Sequence, residues 1–175
     1  MSYLPSRLKV LGKNAKAGLL SPEDKIGLLS DALAMAGSGH LNAKTSDVLQ
    51  LLQEFTEETN YYVWKQILAV LTTIKDAWMF EDQSALNAFQ VRLVTKRLDD
   101  KGWTFKDSDY DLERMLKPLI FAHSTKTEKV EKAAKEMFEA FLGGDEKAID
   151  VNILDAVLFT VLEQGGAKEV RTFGF

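Results

Sequence analysis

Apolar side chains recur at steps of three and four residues along nearly the whole chain, which is the period of an amphipathic α-helix. The clearest stripe runs through Trp64, Ile67, Leu68, Leu71, Ile74 and Trp78. No segment of useful length shows the strict alternation that is typical of a half-buried strand. The pattern therefore predicts an all-α protein and places both Trp64 and Trp78 in its core.

Start and stop signals divide the chain into eight predicted helices. Ser21 and Pro22 begin one of them, because serine caps free backbone N–H groups and proline suits a first turn. Gly18 ends the first helix, and three others end at Gly37-Ser38-Gly39, Gly143-Gly144 and Gly165-Gly166. Pro118 lies inside the sixth helix and predicts a kink there. The predicted helices cover approximately residues 4–17, 22–36, 44–55, 60–78, 86–99, 108–122, 130–142 and 154–164.

The spacing of these helices indicates a repeat. Helix pairs begin near residues 22, 60, 108 and 150, and spacings of roughly 40 to 50 residues are close to those of HEAT and armadillo repeats. We therefore predict that residues 1–175 form a single domain of helix-turn-helix repeats stacked as a HEAT/armadillo-like superhelix. An irregular orthogonal bundle is the alternative, since periodicity alone does not distinguish the two.

Charge and composition exclude several classes of protein. The 22 basic and 26 acidic residues give a net charge of −4 and alternate along the chain, which is typical of solvated helix faces. A nucleic-acid partner is not expected, because no concentrated basic face is present. No membrane is expected either, since no apolar run approaches the ~18 residues of a membrane span. With no cysteine and no signal-like segment after Met1, we expect a cytoplasmic protein.

Candidate metal and acid–base residues are few. The only histidines are His40 and His123, and neither has a second histidine or a carboxylate at the one-turn spacing of a helical zinc site. His40 follows a glycine-rich turn and His123 ends a predicted helix, so both are interpreted as structural. No serine has a convincing base beside it. We therefore predict no catalytic residue and no metal ligand in this chain.

Three alternating aspartates imitate the opening of a calcium-binding EF-hand loop. They are Asp107, Asp109 and Asp111. The loop requires glycine at its sixth position and glutamate at its twelfth, where this chain has Leu112 and Pro118. An acidic helix N-terminus is the better interpretation.

Several segments, in order along the chain, resemble one family of enzymes. Residues 23–32, EDKIGLLSDA, resemble an "E-D-R-x-x-L-x-x-D-A" helix, and residues 58–64, ETNYYVW, resemble "E-T-x-Y-x-V-W". Phe89 with Arg92, then Gly102-Trp103, then residues 113–117, ERMLK, follow in the expected order. Together they are similar to the C-terminal helical domain of zinc aminopeptidases of the alanyl, puromycin-sensitive and endoplasmic-reticulum family.

The resemblance implies a division of labour within a larger protein. Catalysis and zinc belong to an upstream domain with an H-E-x-x-H motif, which this chain lacks. The chain would then be a truncated, non-catalytic C-terminal domain that caps the catalytic domain and encloses the chamber for the peptide substrate. An independent helical-repeat scaffold that binds a protein or peptide segment is the alternative function.

The resemblance also suggests candidate contact residues. They are Lys117, Arg92, Arg114 and Tyr62, which would contact peptide or the catalytic domain. Lys117 stands where the family pattern has arginine, so it keeps the positive charge and loses the planar fork that grips a carboxylate. Tyr62 enters because adjacent Tyr61 and Tyr62 cannot both face inward.

The last residues of the chain suggest a further expectation. Residues 172–175, TFGF, lie where the family continues into more helix pairs. We expect an incompletely covered C-terminal edge and self-association through it, since helical-repeat arrays require polar caps.

Overall fold

A computed structural model describes residues 5–39, 44–101, 103–106 and 108–165, apart from the side chains of residues 99–101. Within these ranges the chain forms α-helices and no strand, which confirms the predicted all-α class. The stacking of the helices into a superhelix stays a prediction. The helices are α1 Pro5–Lys16, α2 Pro22–Gly37, α3 Thr45–Gln53, α4 Tyr61–Ala77, α5 Ser84–Lys101, α6 Asp111–Ala122, α7 Glu128–Leu142 and α8 Leu154–Gly165.

The helices begin where local chemistry satisfies their free N–H groups. Ser21 caps α2 in a reciprocal box, in which its hydroxyl accepts from Asp24 N–H at 3.1 Å while the Asp24 carboxylate accepts from the Ser21 N–H at 3.3 Å. The Asn60 side-chain oxygen caps α4 by accepting from Tyr62 N–H at 2.9 Å. Both helix starts therefore lie where the sequence predicts them.

The helices fall into two compact units, Met1–Phe89 and Gln90–Phe175, with the division inside α5. In the first unit α2 packs against both α3 and α4, and α1 packs against α3. Gly12 permits the α1–α3 approach, because a Cβ there would lie 3.0 Å from Leu51 Cδ1 and 3.1 Å from Glu54 Cγ. The Gln66 amide donates to the Ser30 hydroxyl at 3.1 Å and links α4 to α2.

One tryptophan assignment is confirmed and one is wrong. Trp64 is fully buried in α4, as its place on the apolar stripe predicts. Trp78 is 47% exposed, because α4 ends at Ala77 and the chain turns there, so the helical period no longer directs the indole inward. Phe55, predicted in the third helix, lies beyond its end at Gln53 and is nevertheless buried.

In the second unit α8 packs against both α7 and α6. The turn between α6 and α7 is irregular, and two of its residues are buried: Ser124 is 0% exposed and Thr127 is 7% exposed. The Ser124 hydroxyl donates to the Ile120 carbonyl at 2.6 Å, and the Thr127 hydroxyl donates to the Ser124 carbonyl at 2.7 Å. Both hydroxyls thus have hydrogen-bond partners, which makes the burial of these two residues tolerable.

The start of α6 differs from the prediction. The helix begins at Asp111 and not near residue 108, because residues 103–106 and 108–110 form an irregular connection in which Lys106 N–H donates to the Asp109 carboxylate at 2.9 Å. Pro118 lies inside α6 as expected. The predicted kink at Pro118 stays a prediction.

Candidate functional site

Lys117 is the candidate contact residue with the most defined surroundings. It lies on α6, its side chain is 5% exposed, and its ammonium donates to the Asp109 carboxylate at 2.5 Å and to the Thr104 carbonyl at 2.7 Å. The ammonium also lies 5.8 Å from the centre of the Phe105 ring. Position 117 therefore carries the expected positive charge. The Lys117 ammonium binds the segment that precedes α6.

The pairing fixes the charge state of Asp109. The hydrogen bond from Lys117 Nζ, together with that from the Lys106 N–H, holds the pKa of the Asp109 carboxyl below its ordinary value of 3.8. Asp109 was one of the three aspartates that imitate a calcium loop. Its partner is a lysine, and Asp107 lies outside the described residues.

The other three candidates are exposed. Arg92 lies on α5 and Arg114 lies on α6, one turn before the buried Lys117. Tyr62 is 53% exposed on the first turn of α4, and its ring meets that of Tyr61 edge to face at 5.2 Å. At least one exposed tyrosine was expected from the sequence, and Tyr62 confirms it. Contact of these residues with peptide or with another domain stays a prediction.

A second polar cluster, which the sequence did not predict, lies at Glu58 before α4. One Glu58 carboxylate oxygen accepts from the N–H groups of Thr59 and Asn60, each at 2.8 Å. The other accepts from Lys25 Nζ at 2.7 Å, and the Glu58 carbonyl accepts from the Trp64 indole N–H at 2.8 Å. The Lys25 and Glu58 side chains are 14% and 7% exposed.

The Glu58 cluster joins the two segments that carry the strongest resemblance. Burial raises the pKa of the Glu58 carboxyl, but the hydrogen bonds from Lys25, Asn60 and Thr59 lower it by more, so the pKa lies below its ordinary value of 4.5. Glu58 is therefore ionised at neutral pH and fixes α2 to the start of α4. The sequence showed the two motifs separately and not the contact between them, because Lys25 and Glu58 are 33 positions apart.

Metal-binding groups are not assembled in the parts of the chain that the structure describes. No three histidine, cysteine, aspartate or glutamate side chains there converge as metal ligands. His123 ends α6, and its carbonyl accepts from the Gln90 side chain at 2.7 Å, whereas His40 lies outside the described residues. The histidine and carboxylate groups of the described residues therefore do not fit a zinc ion.

No helix in the described part is long and apolar enough to cross a membrane.

Described residues of the first unit line at least two surface cavities. One, of about 570 Å³, lies between α1 and α3 and has a mixed lining that includes Lys9, Asp47 and Glu54. The other, of about 110 Å³, is lined mainly by apolar groups from the end of α2, the first half of α3 and the end of α4, together with Trp78 just after α4. Neither cavity includes a candidate contact residue.

Comparison with known proteins places these features in a family. A family model described as an ERAP1-like C-terminal domain matches residues 1–173. The chain is similar to Aminopeptidase 2 of Candida albicans, with 38% identity over 95% of the chain and 18% of that protein.

Two similar proteins come from Saccharomyces cerevisiae. They are Alanine/arginine aminopeptidase, 35% identical over 94% of this chain and 19% of its own length, and Aminopeptidase 2, mitochondrial, 35% identical over 95% and 18%. The chain thus spans less than a fifth of the length of each of these relatives.

Proposed function

The chain belongs to the ERAP1-like C-terminal domain family, and from that membership we propose that it is the non-catalytic C-terminal part of a zinc aminopeptidase. The observation that carries the proposal is the match over residues 1–173. The names of the similar yeast proteins support an aminopeptidase, of which this chain corresponds to 18–19%. Because the described residues do not fit zinc, the metal and its activated water belong in this proposal to an upstream catalytic domain.

Within such an enzyme the domain would cap the catalytic domain and enclose the peptide chamber. Helix packing supports this part of the proposal: α1 packs on α3, α2 on α4, and α6 on α8. Contact between helices two apart is what stacked helix pairs produce, and stacked pairs form the concave surfaces of HEAT and armadillo proteins. The superhelix is proposed on this ground.

Three exposed residues are the proposed contacts with peptide or with the catalytic domain: Arg92, Arg114 and Tyr62. Lys117 would have to leave Asp109 to reach a peptide, and separating a buried ion pair is costly. Its proposed part is to hold the segment before α6 in place, so that Arg114 one turn away is presented in a fixed position.

The proposal is tested first on the purified 175-residue chain. Aminoacyl fluorogenic reporters should not be cleaved by it, with or without added zinc. Zinc-dependent, chelator-sensitive cleavage that co-purifies with the chain would overturn the non-catalytic assignment. Extending the gene sequence upstream separates this function from an independent scaffold: an H-E-x-x-H motif in the same reading frame is expected, and its absence would favour the scaffold.

The chamber role is tested in the longer gene product. Arg92→Glu and Arg114→Glu should lower kcat/KM for a long peptide while kcat/KM for a single-residue reporter is unchanged, because only the long substrate reaches this domain. Lys147→Glu, a charge reversal at another exposed residue outside the helices, is the matched control. Equal effects on both substrates would contradict the role.

A cytoplasmic location belongs to the proposal and is checked by cell fractionation.

A further inference from the structure

The turn that joins α4 to α5 presents three neighbouring apolar side chains to solvent. Trp78, Met79 and Phe80 are 47%, 64% and 92% exposed. Single exposed apolar residues are common on protein surfaces, but contiguous ones mark interaction sites. Tryptophan, phenylalanine and methionine are also the types enriched in protein interfaces. The exposure of all three in sequence requires an explanation other than packing.

This turn is held in place by its own hydrogen bonds. The Gln83 amide donates to the Lys75 carbonyl at 2.9 Å and to the Trp78 carbonyl at 3.2 Å. On the far side, the Asp82 carboxylate accepts from the Ser84 N–H and from its hydroxyl, each at 2.9 Å. The exposed side chains are therefore mounted on an ordered backbone, and less conformational entropy is lost when they contact a partner.

A small apolar cavity adjoins the same turn. Its volume is about 110 Å³, and Trp78 lines it together with Leu33, Ile74 and Ala77. This volume is comparable to that of one aliphatic side chain. The turn thus offers both protruding apolar groups and a recess into which a partner side chain can insert, a combination found at interface anchors.

The charges around the turn are acidic. Asp76, Glu81 and Asp82 are exposed. The basic residues nearest to them are Lys75 on α4 and the exposed Lys44, which precedes the recess-lining Thr45. The hydrogen bonds from Ser84 hold the pKa of the Asp82 carboxyl below its ordinary value of 3.8, so this charge persists at neutral and mildly acidic pH. The three carboxylates favour a basic partner segment over an anionic one.

We propose that residues 76–82, named here the acidic turn, are a docking site for a protein segment that carries basic residues on either side of one aliphatic or aromatic side chain. The apolar side chain enters the recess beside Trp78, and the basic residues face the three carboxylates. The inference requires no catalytic domain, so it stands or falls separately from the proposed function.

The test uses the full chain and defined peptides. The probe is acetyl-Lys-Leu-Arg-amide, and its matched controls are acetyl-Glu-Leu-Glu-amide and acetyl-Lys-Gly-Arg-amide. The chain has three tryptophans, so its indole N–H signals in a proton–nitrogen correlation spectrum are few, and Trp78→Phe assigns the relevant one. The basic apolar peptide should shift the Trp78 signal saturably and leave the buried Trp64 signal in place.

Two variants separate the parts of the proposed site. Phe80→Ser should weaken binding roughly tenfold, since truncation of an anchoring aromatic is costly. Asp76→Lys with Glu81→Lys should abolish the preference for the basic peptide. Val151→Ser, at a residue that is 80% exposed in the second unit, is the control and should bind as the unmodified chain does. An unchanged urea midpoint for each variant verifies folding.

Each alternative occupant gives a distinct result. No saturable shift, equal binding of the acidic peptide, or unchanged affinity of Phe80→Ser would overturn the proposal. A shift of the Trp78 signal with protein concentration alone would assign the turn to self-association. Co-sedimentation with vesicles of phosphatidylcholine and phosphatidylserine, lost in Phe80→Ser, would assign it to a membrane surface.

Discussion

Replacing Glu58 with glutamine removes a charge from the junction of α2 and α4 with almost no change in volume. The carboxylate accepts hydrogen bonds from Thr59 N–H and Asn60 N–H at 2.8 Å and from Lys25 Nζ at 2.7 Å. Glutamine has one acceptor oxygen and one amide group. If the glutamine oxygen accepts from Thr59 N–H and Asn60 N–H, the glutamine NH₂ group faces the Lys25 ammonium. Both groups are hydrogen-bond donors, so no bond forms between them.

The cost follows from the burial of the pair. Breaking a fully buried ion pair costs about 3–5 kcal/mol, whereas an exposed pair contributes about 0.2–1 kcal/mol. The Lys25 and Glu58 side chains are 14% and 7% exposed, so Lys25 regains part of its hydration when the pair is lost. We therefore expect Glu58→Gln to lower the free energy of unfolding by about 2 kcal/mol at pH 7.

The assay is urea unfolding followed by tryptophan fluorescence. In a background of Trp78→Phe and Trp103→Phe, Trp64 is the remaining tryptophan, and its indole donates to the Glu58 carbonyl. Its fluorescence therefore reports on the unit that contains the substitution. Glu81→Gln, an exposed change of the same chemistry, should stay within about 0.5 kcal/mol of the parent.

Acid should remove the difference between the parent and Glu58→Gln. The pKa of Glu58 is lowered in the folded state, so its contribution is present above pH 4.5 and is lost as pH falls through the folded-state pKa. Lys25→Met combined with Glu58→Gln should cost less than the sum of the two single changes. An unchanged urea midpoint for Glu58→Gln, or a difference that persists in strong acid, would refute the reasoning.

Two further changes test other contacts. Gly12→Val should destabilise the first unit by about 1–3 kcal/mol, since its side chain would overlap Leu51 and Glu54; an unchanged urea midpoint would show that α1 moves freely from α3. Lys117→Met should lower the urea midpoint at pH 7 by leaving the Asp109 carboxylate without its ammonium partner, and the loss should shrink as pH falls below 3.8 through the lowered pKa of Asp109. Equal losses at neutral and acidic pH would contradict this.

Helix positions were predictable because their signals are local. The caps at Ser21 and Asn60 depend on backbone groups within three residues, and an apolar stripe is visible within a few turns. The assignment of Trp78 to the core was wrong for the same reason. A stripe shows which side a residue faces only while the helix continues, and the helix stops one residue earlier.

The polar clusters were not predictable, because their partners are distant in sequence or lie in irregular backbone. Lys25 and Glu58 are 33 positions apart. Each one, considered by itself in the sequence, is typical of a solvated charge on a helix surface. For Lys117 the sequence indicated a retained positive charge, but the carbonyl of Thr104 that accepts from it has no side-chain signature. Long-range pairing becomes visible only when the fold brings the segments together.

The two buried residues in the turn between α6 and α7 have a consequence for local opening of the chain. Irregular turns usually exchange their amide hydrogens quickly, since solvent reaches them. Here the Thr127 N–H donates to the Ser124 carbonyl at 2.8 Å, and the Ser124 N–H donates to the Phe121 carbonyl at 2.9 Å, both from residues that solvent barely reaches. In deuterium uptake, the amides of Ser124 and Thr127 should therefore exchange as slowly as those of the flanking helices, whereas the amide of the exposed Lys126 should exchange quickly.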